Sequence, residues 1–219
     1  MTAATPKVSV DIVSDVVCPW CYVGKRKFEG ALAQLPDVDV QVRWRPFQLD
    51  PTIPQGGIDR MEYLTKKFGA ERAGSMHHRL EDIGREAGVD FAFDKIARSP
   101  NTLDAHRLIR WAFTSGKQEA IVERLFRLYF IEGRDIGDRD LLADVASENG
   151  MDRAAIRARL DMDSDAADVQ AEIESAVRIG VNGVPFFIID GKYGLSGAQP
   201  SEAIAEAVRK ALAAQAAET

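Results

Sequence analysis

The sequence predicts one α/β domain in which a long helical stretch interrupts a small sheet. Three observations carry that expectation. Strand signals mark both ends of the chain, as alternation at residues 8–17 and 39–44 and as an apolar, aromatic run at 184–189. Between them, from about residue 58 to 177, apolar side chains recur at helical spacing with capping residues and glycine stops. No linker and no internal repeat divides the 219 residues, a length that can bury a sizeable core.

Each element has its own signal. Residues 8–17 (VSVDIVSDVV) are rich in β-branched side chains and run directly into Cys18-Pro19-Trp20-Cys21. A helix follows over residues 22–35, with Phe28, Leu32 and Leu35 on one face. Pro19 suits its first turn, where a missing N–H is no loss, and Pro36-Asp37 ends it. The alternation of residues 39–44 (DVQVRW) completes a βαβ unit, and the prolines and glycines of residues 45–57 mark a loop. Helices are expected over 61–68, 73–87, 102–115, 118–132, 138–150, 152–160 and 165–179. Asn101-Thr102 and Asp138 read as N-caps, and Gly116, Gly133 and Gly150 as C-terminal stops. Residues 184–189 form a strand, Asp190-Gly191 a hairpin turn, and residues 193–196 the returning strand. A last helix, N-capped by Ser201, runs to about residue 215.

Composition narrows the function. With 46% hydrophobic and 28% charged residues the chain is neither disordered nor collagenous. A formal net charge of -6 offers no basic field for nucleic acid or anionic lipid. No apolar run approaches the ~20 residues that span a bilayer. Residues 1–10 carry one lysine and no uninterrupted apolar core, so they do not read as a signal peptide, and a cytoplasmic location is expected.

The two cysteines, Cys18 and Cys21, must be explained together. Three residues apart at a helix start, they share a face and can form and break a disulfide with little backbone movement. The helix N-terminus favours a thiolate at the first. Cys18 is therefore the expected nucleophile, and Cys21, one turn in and more buried, the resolving thiol. A zinc half-site or two incidental core thiols are the alternatives. Zinc would need two more ligands, and His77, His78 and His106 lie at no finger-like spacing. No metal is expected.

The second mark is Gly183-Val184-Pro185. A proline opening a strand that should be central removes a ladder donor. A cis peptide at a tight turn resolves the anomaly; a trans proline at the start of a strand is the alternative, and the upstream Cys-x-x-Cys favours cis.

Together SDVVCPWCYVGKRKFE, SPNTLDAHRLIRWA, YFIEGRDIGDRDLLADVA and NGVPFFIIDGKYGLSGAQP resemble the DsbA-like thioredoxin-fold superfamily, and within it the FrnE branch of disulfide oxidoreductases. The resemblance implies a thioredoxin fold with a large α-helical insertion. Residues 1–57 would be the first thioredoxin half, 58–177 the insertion and 178–219 the second half. It also implies an exposed Cys18, a cis Val184–Pro185 bond beside the dithiol, and substrate contacts from Val184, Pro185 and Trp20. Pro19, Asn101 and His106 are expected around the site. The implied partners are proteins or small molecules carrying thiols or disulfides, with glutathione as a co-substrate, no other cofactor, and a second copy of the chain as a further partner. This chain departs from some FrnE-type proteins, which carry a further C-terminal cysteine pair, so a relay between two dithiols is excluded. The alternative within the superfamily is a glutathione-dependent transferase or 2-hydroxychromene-2-carboxylate isomerase. Trp44-Arg45-Pro46-Phe47 resembles those enzymes, but they usually carry serine where Cys18 stands.

Several features read more plainly. The acidic run 161–165 nearly fits a calcium loop, but Ala166 stands where the sharp turn requires glycine. Arg107, Arg110, Arg124, Arg127 and Arg134 read as outer helix faces paired with acids. Trp111, Phe113, Phe126, Tyr129 and Phe130 read as insertion core, and His77-His78 as a solvated helix face.

Overall fold

Local signals and long-range pairing agree in the first unit. The computed structural model describes residues 5–218; residues 1–4 of the N-terminal segment and the side chains of residues 70–76 lie outside the description. β1 (Lys7–Ser14) leads into α1 (Pro19–Leu32) and β2 (Asp39–Pro46). β1 runs parallel to β2, with Val10 opposite Val42, and antiparallel to β5 (Phe186–Ile189), with Ile12 opposite Phe187. β6 (Tyr193–Ser196) pairs back on β5, giving the order β2-β1-β5-β6. The three-residue connection, 190–192, places Asp190 at φ 54° and Gly191 at φ 64°, the left-handed pair of a tight turn closed by the Lys192 amide donating to the Ile189 carbonyl at 3.1 Å.

β1 is central, so both of its faces must be apolar. Val8, Val10 and Ile12 belong to the main core with Phe28, Phe187 and residues of α9 (Ser201–Ala217), while Val13 packs on the opposite face with Ala176 and Val181. Between β2 and β5 lie α2 (Arg60–Phe68), α3 (Ala70–Glu86), α4 (Leu103–Phe113), α5 (Gln118–Phe130), α6 (Arg139–Glu148), α7 (Arg153–Asp161) and α8 (Ala166–Arg178). An aromatic cluster ties this stretch to α1: Tyr22 stacks on Phe126 with centroids 4.8 Å apart and meets Phe91 edge-on at 6.1 Å.

The structure corrects the sequence reading at several points. The stretch from residue 58 is not purely helical, because β3 (Ile58–Asp59) pairs with β4 (Arg98–Ser99) and a 3-10 turn covers Phe93–Lys95. Strands of two residues are too short to show a period. Ser201 is not the N-cap of α9. Pro200 holds that position, and the Ser201 hydroxyl donates to the Lys27 carbonyl at 2.8 Å, tying α9 to α1. Phe113 is not core; it is 48% exposed, with the Arg43 guanidinium 5.1 Å from its ring centroid. Trp111, Phe126, Tyr129 and Phe130 are buried as read.

Two buried cations were not legible. Lys25, facing inward from α1, meets Glu119 at 2.6 Å, Glu123 at 3.0 Å and also Glu29. Burial alone would lower its pKa, but Glu119 and the other two carboxylates outweigh it and the net shift is upward. Arg107, read as an outer residue, is only 1% exposed. The carbonyls at the end of α7 and in the following loop need donors, and this guanidinium supplies them. Arg110 and Arg124 do pair with acids, on Asp168 and Glu172 and on Glu148 and Glu132. Within the acidic run, Asp165 accepts from the Trp111 indole at 2.5 Å and from Arg159 at 2.7 Å.

Candidate active site

The two cysteines sit where β1 gives way to α1. After Ser14 the chain turns, the Cys18 amide donates to the Asp15 carbonyl at 3.0 Å, and Cys18 becomes the N-cap of α1 with φ -92° and ψ 114°. Pro19 fills the first helical position, where its fixed φ costs nothing. The Cys21 amide returns to the Cys18 carbonyl at 3.0 Å. No side chain caps this helix and its first turn carries no acid, so the helix N-terminus is free to act on the Cys18 sulfur.

The chain's far end completes the site. The Val184–Pro185 peptide is cis, and the Cys18 thiol points at the Val184 carbonyl, with Sγ 3.7 Å from its oxygen. This loop packs tightly on α1 because residue 24 is glycine. A Cβ there would stand 2.7 Å from the Pro185 Cγ. Trp20, 42% exposed, and Leu49, also 42% exposed, give the site an apolar rim; Leu49 was not among the expected residues.

The expected exposure of Cys18 is not found. The residue is 4% exposed, and Cys21 1%. Its sulfur turns inward to the Val184 carbonyl instead of outward to solvent. Both thiols are free. Burial pushes the Cys21 thiol well above its usual pKa, and contact with Cys18 adds to the shift; the Ser14 hydroxyl and Asp15 backbone oppose it. Cys21 is thus a protonated thiol at neutral pH, the expected resting state for a resolving residue.

Asp15 is the component sequence reasoning missed. It is 1% exposed, and one oxygen accepts from the Leu49 amide at 2.8 Å while the other lies 3.3 Å from His106 Nε2. His106, on α4, is therefore joined to the cysteine turn through Asp15. It also lines a cavity of about 350 Å³ on the far side. Asn101 is not at the thiols. Its side chain accepts from Gln48 at 3.0 Å and donates to the Ile53 carbonyl at 2.7 Å, holding the loop that carries Leu49. A charged residue within the strand-like run 8–17 was the only signal for Asp15. Nor are His77 and His78 one solvated face: His77 stacks on Phe93 with 4.8 Å between centroids, while His78 is exposed. Among the described residues no group of three or more His, Cys, Asp or Glu side chains could hold a metal.

This geometry coincides with a family model. The model for the DSBA-like thioredoxin domain matches residues 9–209. The chain belongs to the DsbA-like thioredoxin family. A relative, the uncharacterized protein YwbO of Bacillus subtilis (strain 168), is 29% identical over 203 residues, covering 92% of this chain and 96% of that one. Among solved structures, the probable DsbA oxidoreductase SCO1869 from Streptomyces coelicolor superposes with a TM-score of 0.85 at 36% identity, covering 93% of this chain and 89% of that one. A 2-hydroxychromene-2-carboxylate isomerase matches with a TM-score of 0.70 at 16% identity, covering 96% of this chain and 98% of that one. The cytosolic disulfide reductase DsbM from Pseudomonas aeruginosa gives 0.60 at 18% identity with the same coverage, 96% and 98%. The last two likenesses speak for the DsbA-like fold alone.

Proposed function

We propose that this chain is a thiol–disulfide oxidoreductase of the FrnE type, working through the Cys18–Cys21 dithiol. The observation that carries the reading is the placement of two free thiols on one helix turn, the first as an uncapped N-cap beside Val184 and Pro185. The Cys18 thiolate attacks one sulfur of a substrate disulfide. A mixed disulfide forms and the other substrate sulfur leaves as a thiolate. Cys21 gives up its proton and attacks the Cys18 sulfur, so that the Cys18–Cys21 disulfide forms and the second substrate thiol departs. Two electrons have passed from protein to substrate, and two thiols, for which glutathione is our candidate, restore the dithiol. Run backward, the same steps oxidise a substrate dithiol. Val184 and Pro185 offer backbone to the substrate chain, and Trp20 shapes the approach. Pro19 holds the helix start, and Asp15 with His106 fixes the turn beneath it.

We assign the protein to the cytoplasm, the compartment stated for DsbM, where a reducing pool favours the dithiol form. Its partners are small or protein-bound thiols and disulfides, and a second copy of the chain is a further candidate. The isomerase or transferase reading shares the fold but leaves the second cysteine without a task.

Cys21→Ser tests the resolving step. The variant is expected to accumulate a mixed disulfide on Cys18, visible by mass spectrometry, with turnover lost. In the wild-type protein, breakdown of that intermediate should accelerate with pH. Because burial raises the Cys21 pKa, the thiolate fraction keeps climbing about tenfold per pH unit through the neutral and mildly alkaline range. A resolution rate flat over that range contradicts the assignment of Cys21.

A further inference from the structure

A second cavity, of about 140 Å³, opens beside the cysteine turn. Val17 and Pro19, the neighbours of Cys18 on either side, form part of its wall, and Leu64 and Phe68 of α2 face them. An apolar cavity of roughly this size accommodates a benzene ring. The space fits one ring or one branched aliphatic group.

Two carboxylates and two cations line it, but they do not all meet one another. Asp15 is engaged by the Leu49 amide and His106. Asp50 is met by Lys67 at 3.5 Å, and Lys67 also donates to the Tyr63 hydroxyl at 2.5 Å. Burial, and then Arg60, holds the His77 pKa below its usual value. Arg60, the first residue of α2, has no carboxylate partner among the described residues. Its Nη1 donates to the Tyr129 hydroxyl at 2.8 Å and its guanidinium lies 5.7 Å from that ring's centroid. Its Nε is buried and has no acceptor. A buried donor left unmet is costly, and a guanidinium recognises a carboxylate through paired, charge-assisted bonds.

We infer that this cavity binds a carboxylate carried on a ring-sized apolar group, with Arg60 as its counter-ion. Resting on the thiol–disulfide reading, we assign that group to the substrate: the thiol or disulfide attacked by Cys18 bears it close to the reacting sulfur. Neutral or cationic disulfides then lose the Arg60 contact and react more slowly.

Binding of phenylacetate and of its neutral isostere phenylacetamide, followed by calorimetry, tests the cavity. The acid is expected to bind the reduced protein at least about tenfold more tightly than the amide, equivalent to ~1.4 kcal/mol. Arg60→Met should abolish that preference and Arg60→Lys should retain part of it, so a misfolded methionine variant leaves a second readout. Equal binding of acid and amide, no saturable binding of either, or a preference that survives both substitutions overturns the inference. Cys18→Ser should bind phenylacetate as the unaltered protein does, which separates this result from the fate of the exchange chemistry. The substrate assignment is read from two aromatic disulfides. Arg60→Met should slow reaction with dithiobis(nitrobenzoate) about tenfold and leave dithiodipyridine unaffected; equal effects on both overturn it.

Discussion

Replacing Cys18 with serine is expected to reduce disulfide turnover to the uncatalysed rate, a loss of at least roughly a thousandfold. A hydroxyl at the N-cap is still a good helix terminator, so the fold should persist. The thiol's own contact, 3.7 Å from the Val184 carbonyl, is too long to matter to stability. The loss is therefore chemical: serine supplies neither a thiolate nor a sulfur that can form a mixed disulfide. Steady-state reduction of a small aromatic disulfide, with far-UV dichroism as the control for folding, is the measurement. Turnover within tenfold of the unaltered protein would remove Cys18 from the reaction. It would favour the glutathione-dependent alternative, whose members tolerate serine at this place.

The largest expected effect on stability lies at Arg107. All five of its N–H donors are used: on Asp104 at 2.6 Å, Leu160 at 3.3 Å, Arg159 at 2.6 Å, Met162 at 2.5 Å and Ser164 at 2.8 Å. Four of those acceptors are backbone carbonyls at the end of α7 and in the loop before α8, the negative end of a helix dipole. Asp104 is also bound by Arg139 at 2.8 Å. Arg107→Ala leaves a buried carboxylate with one partner fewer and four carbonyls without a donor. The expected cost is about 3–5 kcal/mol, or roughly 2–4 °C in Tm per kcal/mol for a chain of this size. Lysine should not rescue it, because three donors on one nitrogen cannot span five acceptors. A denaturation midpoint within about 1 kcal/mol of the unaltered protein would show that the cage is not a structural fastening.

These residues also mark where the sequence was legible. Alternation in residues 8–17 exposed β1 because a central strand must be apolar, and the Asp190-Gly191 turn was readable because few residues tolerate left-handed backbone. The Cys-x-x-Cys was recognisable from local chemistry, whereas the cis reading of Val184–Pro185 leaned on that dithiol far upstream. Arg107 was not recognisable, since its four backbone acceptors lie more than fifty residues away and its place in α4 follows the same period as any outward cation. Lys25 failed for the same reason: its burial is decided by Glu119 and Glu123 on α5. Asp15 passed as one more residue of the strand-like run 8–17, and its role follows only from α4 bringing His106 against it. Periodicity reports which face is apolar, but only tertiary packing tells a polar residue which partner it will meet.

The central claim is that Cys18 and Cys21 interconvert as one redox couple. Equilibrating the protein in glutathione buffers of graded ratio and trapping the free thiols tests it most directly. A single reversible two-electron transition, with a potential within the ~-120 to -270 mV of known dithiol oxidoreductases, is the expected result. If no Cys18–Cys21 disulfide forms at any ratio, or Cys18 gains only a glutathione adduct, the dithiol account is contradicted.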